Sequence, residues 1–125
     1  MAKRWLAFTP NDLPIIQVNL GPQRFFALLD TGAQISLLSP KVAASFGLTV
    51  TGQTLLVGIT GVTEFVPKTS LEGLHLAGIP WDPLTAVIAD VTRMNKKIDL
   101  VLGISAFRDR RVQIDFKEGR VYLLD

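Results

Sequence analysis

The sequence predicts a mainly β fold: one closed, largely antiparallel β domain carrying one or two short helices. Three observations lead there. Short apolar segments follow one another closely, and ten glycines and seven prolines punctuate the gaps. Only the stretch around residues 39–47 carries both start and stop signals of a helix. Finally, 125 residues with 48% apolar content suit a single compact, turn-rich unit spanning 1–125.

Ile15 to Leu20 alternates loosely between apolar and polar residues and reads as a strand. Gly21-Pro22-Gln23 is turn chemistry, and Arg24 to Leu29 returns as the second strand of a hairpin. Ser36-Leu37-Leu38 is a short strand leading into the helix. There Ser39 can cap the start, Pro40 fits the first helical position, and Gly47 fits the left-handed residue past the end. Thr54 to Lys68 reads as a second hairpin, in which Leu55-Leu56-Val57 and Thr63-Glu64-Phe65-Val66 flank the tip Gly58-Ile59-Thr60-Gly61. Leu71 to Leu76 and Leu84 to Ala89 are further strands, separated by Gly78-Ile79-Pro80-Trp81-Asp82-Pro83. Arg93 to Lys97 is a polar loop. Ile98 to Leu102 is almost continuously apolar, which predicts a strand buried on both faces. Ser105 to Arg110 fits one or two helical turns, and Val112 to Phe116 and Arg120 to Leu124 form a terminal hairpin across Lys117-Glu118-Gly119.

Composition excludes several kinds of function. Thirteen basic and eleven acidic residues leave a net charge of +2 with both signs scattered, so no nucleic-acid partner is expected. The absence of cysteine rules out disulfides and thiolate metal sites and leaves the compartment open. The opening Met-Ala-Lys-Arg-Trp-Leu-Ala-Phe is too short in apolar residues for a signal peptide. No run approaches the ~18 apolar residues of a membrane span, so no membrane association is expected, and the cytoplasm is the default location. The single His75 lies on Leu74-His75-Leu76 and reads as packed or solvent-facing. A serine triad would need that histidine and a Gly-x-Ser-x-Gly elbow that is not there. A zinc site would have to be built mostly of carboxylates. Trp81, among prolines, reads as a packing anchor, and Asp82, Asp90 and Asp99 as turn or surface residues, since none precedes a Thr/Ser-Gly turn.

The chemistry concentrates at Asp30-Thr31-Gly32. An apolar strand, Phe25-Phe26-Ala27-Leu28-Leu29, delivers one carboxylate to a tight turn followed by Ala33-Gln34-Ile35-Ser36. Gly32 lets the turn close and turns backbone N–H groups toward the carboxylate, and Thr31 supplies a hydroxyl that can hold the loop. By chance alone an Asp-Thr-Gly occurs in about 2% of chains of this length. A second element, Ile98-Asp99-Leu100-Val101-Leu102-Gly103 followed by Ile104-Ser105-Ala106-Phe107, changes the odds.

Together the two elements resemble the retropepsin family, the dimeric aspartic proteases of retroviruses and their cellular and bacterial relatives. The resemblance runs from about Ile15 to Phe116, taken as the core of the one domain. It implies a homodimeric endopeptidase needing no cofactor and no metal, which binds extended peptide and prefers apolar residues at the cleaved bond. Asp30 from each chain would form the dyad, Thr31 would clasp the partner's loop, and Gly32 would donate to the carboxylates. Leu28, Ala33, Gln34, the flap tip Gly58, Ile59, Thr60, Gly61 and Val62, and Val101 would line the cleft. In place of the Asp or Asn that relatives often carry two residues after the downstream glycine, this chain has Ser105. Dimer contacts are expected from the terminal strand Arg120 to Leu124, whose edge would otherwise lie exposed, and secondarily from Trp5-Leu6-Ala7-Phe8, although Pro10 and Pro14 limit that stretch as a strand. The alternative is a catalytically silent retropepsin-fold module that dimerises or binds peptide within a larger protein.

Overall fold

The computed structural model describes residues 4–57, 61 and 63–124. Twelve strands, one α-helix and one 3-10 turn make up the described chain: β1 (Arg4–Ala7), β2 (Ile15–Leu20), β3 (Gln23–Leu29), β4 (Ser36–Leu38), α1 (Pro40–Ser45), β5 (Val50–Val57), β6 (Thr63–Leu71), β7 (Leu74–Leu76), β8 (Ile79–Pro80), β9 (Leu84–Ile88), β10 (Leu100–Leu102), the 3-10 turn Ile104–Ala106, β11 (Arg111–Asp115) and β12 (Arg120–Leu124). They form a nine-stranded sheet in the order β5-β6-β9-β4-β10-β3-β2-β7-β8 and a three-stranded sheet in the order β1-β12-β11. The fold is mainly β as expected, but neither sheet closes. The expected closed domain is therefore corrected to two open sheets sharing a core.

Strand alternation explains the core. On β2, Ile16, Val18 and Leu20 are buried while Gln17 and Asn19 face solvent. Those three pack in the main cluster with Leu38, Val42 of α1, Leu71, Leu74, Leu76, and with Val121 and Leu123 of the small sheet. This main cluster thus joins both sheets. β10 and the last three residues of β3 lie centrally and are buried on both faces: Ala27, Leu29, Leu100 and Leu102 join the main cluster, whereas Leu28 and Val101 join a second one with Val91 and Ile98.

The helix follows its local signals. Ser39 Oγ accepts from Val42 N at 3.2 Å, Pro40 opens the helix, and Gly47 stands at φ +58 beyond its end. Elsewhere long-range pairing overrides the local pattern. The expected strand Leu71 to Leu76 breaks at Glu72 and Gly73, where φ of +81 turns the chain so that β7 pairs with β2. Within Ile98 to Leu102 only Leu100–Leu102 is strand. Despite Pro10 and Pro14, Arg4–Ala7 does form a strand, antiparallel to β12. Consequently β12 is the middle strand of its sheet, flanked by β1 and β11, and the exposed edge expected at Arg120 to Leu124 does not exist.

The β5–β6 hairpin is longer than the sequence suggests. Lys68 to Leu71 of β6 pair with β9, but Thr63 to Pro67 pair with β5 alone. Its distal half therefore extends from the sheet as a two-stranded ribbon, with Leu55 and Phe65 paired and exposed on one face.

Candidate active site

Asp30 follows directly on β3, and the loop it opens is held from below by β10. That strand lies between β3, to which it is parallel, and β4, to which it is antiparallel. Its register places Val101 beside Leu28 and Leu102 beside Leu29. From there the ladder continues into the loop: Asp30 N donates to Leu102 O at 3.0 Å, Ile104 N to Ala33 O at 2.8 Å and Ser105 N to Gln34 O at 3.3 Å. Gly103 N donates to the buried hydroxyl of Ser36 at 3.1 Å. The contact at Gly103 is so close that a Cβ there would stand 2.3 Å from Ile35 O and 2.7 Å from Ala33 O. Glycine is required at this position by steric approach, since its φ of −84 is open to any residue.

Within the loop, Gly32 N donates to Asp30 Oδ1 at 3.0 Å and Ala33 N to Asp30 O at 3.1 Å. A Cβ on Gly32 would lie 3.2 Å from that same carboxylate oxygen. The carboxylate is thus fixed by a backbone donor while staying half-buried, open enough to meet a second group. Thr31 is exposed, and among the described residues its hydroxyl has no partner within the chain. The hydroxyl expected to hold the loop does not do so from inside this chain; Ser36 performs that task. Ser36 went unremarked in the sequence, where its signal is a hydroxyl on a buried strand position.

The other expected site residues fall into three groups. Ala33 is half-buried, Gln34 is exposed, and both give their carbonyls to the segment after Gly103. Leu28 is 7% exposed and Val101 0%, so in the single chain they form the floor beneath the loop and present almost no surface. Gly61 is exposed with φ +81, while Gly58, Ile59, Thr60 and Val62 lie outside the described residues.

The three other aspartates considered in the sequence, Asp82, Asp90 and Asp99, each have partners away from Asp30. Asp99 accepts from Ser39 Oγ at 3.3 Å, and Asp82 lies 3.9 Å from Arg110. The Thr92 hydroxyl and backbone N–H on Asp90 hold its carboxyl below the usual carboxylate range. His75 Nδ1 is 3.0 Å from Gly73 O on the far side of β2 from β3, away from Asp30. Trp81 is buried, donates Nε1–H to Ala106 O at 2.7 Å and carries the Arg110 guanidinium on its face. It is the packing anchor expected, and it supports the segment that follows Gly103.

A family profile described as aspartyl protease matches residues 16–106. Among solved structures, a retropepsin-like aspartic protease from Rickettsia conorii superposes with a TM-score of 0.68 at 17% identity, covering 98% of this chain and 90% of that one. The retroviral protease-like domain of Ddi1 from Leishmania major superposes with a TM-score of 0.58 at 18% identity, covering 95% and 96% respectively. At such identity the likeness is one of fold: this chain and both structures share the retropepsin-like arrangement.

Proposed function

The chain belongs to the aspartyl protease family, and from that premise we propose that it is a homodimeric endopeptidase whose dyad is Asp30 from each of two copies. The observation that carries the reading is the Asp30-Thr31-Gly32 loop: its carboxylate is held by Gly32 N–H, and its backbone is braced by Leu102 to Ser105. One such loop occurs in the 125 residues, and the chemistry needs two facing carboxylates, so a second copy supplies the other.

Two carboxyl groups brought that close share one proton, because ionising both would set like charges against each other. The ionised oxygen takes a proton from a bound water as its oxygen attacks the peptide carbonyl carbon. The protonated oxygen gives its hydrogen to the carbonyl oxygen. The resulting tetrahedral diol then collapses, with a proton passing to the leaving nitrogen, and no bond to the enzyme forms. The two apparent pKa values belong to the pair.

Substrate would lie extended, adding its backbone to strand edges and alternating its side chains. Leu28 and Val101 serve as apolar floor in this reading, with Ala33 and Gln34 beside the dyad and Thr31 reaching the partner's loop. The β5–β6 ribbon acts as the flap in this reading; the protrusion of Thr63 to Pro67 and their β5 partners beyond the sheet supports that role. Apolar surroundings favour apolar residues around the cleaved bond. The test is cleavage of an unbiased peptide library by the purified protein and by Asp30→Asn. Loss of all cleavage in a variant that keeps its fold and its dimer supports the reading; wild-type turnover in that variant refutes it.

A further inference from the structure

We propose that the groove beside the free edge of β1 docks an extended acidic segment of the substrate flanking the cleaved bond, with a carboxylate of that segment on Lys97. The inference rests on the endopeptidase reading above and adds to it a contact surface away from Asp30.

The groove, of about 630 Å³, is lined by residues 5–10, Ile15, Gln17, Phe26 and Lys97. Part of that lining is a strand edge, because β1 pairs with β12 on one side only. Phe8 N donates to Gly119 O at 2.9 Å, so the antiparallel alternation turns the backbone groups of Leu6 toward β12 and those of Trp5 and Ala7 toward the open side. An added peptide strand satisfies those open groups. The remaining lining comes from β2 and β3, where Gln17 pairs with Phe26 and Ile15 with Leu28. Ile15 and Phe26 pack against the cluster that holds Leu28 and Val101, so groove and loop floor share one apolar cluster. Phe26 stands four residues before Asp30, a span of about 13 Å along β3. A peptide extended from the dyad therefore reaches the groove with a residue about four positions from the cleaved bond.

Charge selects the occupant. Among the described residues Lys97 is the one charged side chain lining the groove, and no carboxylate lines it. The one ion pair among them joins Arg110 to Asp82, so Lys97 has no acid partner of its own. Its Nζ instead stands 4.3 Å from the centroid of the Phe26 ring, and Arg120 lies likewise over Trp5, which is 45% exposed. A second copy of β1 would bring Arg4 and no acid, and so would not answer Lys97. An acidic peptide does. Residues two apart share a face of an extended strand, so an apolar residue on Ile15 and Phe26 sets an acid two positions away on Lys97.

The test uses peptides built on one core that the unbiased library yields by cleavage or by binding. A short form ends before the groove; long forms carry Glu, Gln or Lys about four residues from the cleaved bond. The Glu form should show a KM about two- to fivefold below that of the Gln form at equal kcat, the size of an exposed ion pair that acts alike in ground and transition state. Lys97→Glu should invert the order of the Glu and Lys forms. Ala7→Pro removes an N–H on the open side without touching the bonds to β12, and should raise the KM of the Glu form toward that of the short form. The short form corrects each variant for changes at the dyad, and thermal melts check folding. If Ala7→Pro does not fold, Gln17→Glu, exposed in the groove, replaces it and should weaken the Glu form as strongly. The same peptides titrated into Asp30→Asn by fluorescence anisotropy should bind in the same order. Equal constants for the Glu, Gln and Lys forms refute the docking site while cleavage of the short form sustains the endopeptidase reading. A Glu preference that survives Lys97→Glu refutes the assignment to this groove. Binding that Lys97→Glu inverts, in a protein that cleaves nothing, overturns the endopeptidase reading and keeps the groove; neither binding nor cleavage overturns both.

Discussion

Gly103→Ala tests whether the loop carrying Asp30 is held from below. The added Cβ would lie 2.3 Å from Ile35 O and 2.7 Å from Ala33 O, two backbone atoms that no rotamer change can move aside. Ordinary contact requires the loop and the end of β10 to part by about an ångström. Such a shift removes or weakens Ile104 N to Ala33 O and Gly103 N to Ser36 Oγ, now 2.8 and 3.1 Å. Two bonds at about 0.5–1.5 kcal/mol each, with about 1–3 kcal/mol of overpacking, give a loss of about 2–6 kcal/mol. Set against a typical domain stability of about 5–15 kcal/mol, the variant should still fold. Its activity should suffer more, since misplacing a reacting group by an ångström costs about a hundredfold in turnover. Urea denaturation reads the first quantity. The second is kcat/KM for a cleaved peptide, measured at protein concentrations that keep the dimer formed. A variant within about 0.5 kcal/mol of wild type and with unchanged kcat/KM would show that the loop does not depend on this contact.

Other outcomes follow from the same geometry. Peptide cleavage should peak below neutral pH, falling on the alkaline side as the dyad loses its shared proton and on the acid side as it gains a second. Specific activity should also rise with protein concentration; a profile that climbs toward alkaline pH, or a concentration-independent activity, contradicts the shared dyad. Trp81→Phe leaves the buried Ala106 carbonyl without its 2.7 Å donor and removes the indole beneath Arg110, for a loss of about 2–4 kcal/mol in denaturant unfolding. A change under about 0.5 kcal/mol would mean that another donor takes over. Deleting residues 120–125 takes Val121 and Leu123 out of the core and leaves β1 and β11 unpaired, so cooperative melting should disappear. A truncated chain that melts cooperatively and merely dissociates would show that β12 is not central.

Local chemistry determined much of this protein from sequence alone. Ser39, Pro40 and Gly47 define the helix because caps and φ preferences act within a few residues. The Asp30 turn, with Gly32 N–H on the carboxylate, was legible for the same reason, as were the β2–β3 hairpin and the burial of Leu100 to Leu102 on both faces. Tertiary structure alone decided the rest. No local signal pairs β10 parallel to β3, and without that pairing Gly103 is an unremarkable glycine with an ordinary φ. Ser36 acquires its role only when Gly103 arrives 67 positions later. Leu28 and Val101 read as cleft residues by position, yet the packing of Val91 and Ile98 over them makes them a floor. Arg120 to Leu124 reads as a free edge strand until residues 4–7 cover one side of it, which leaves β11 as an edge. Caps and turns are set by neighbours along the chain, whereas sheet order is set by which apolar faces and unpaired backbone groups meet after collapse. Those meetings join residues too distant in sequence for any window to register.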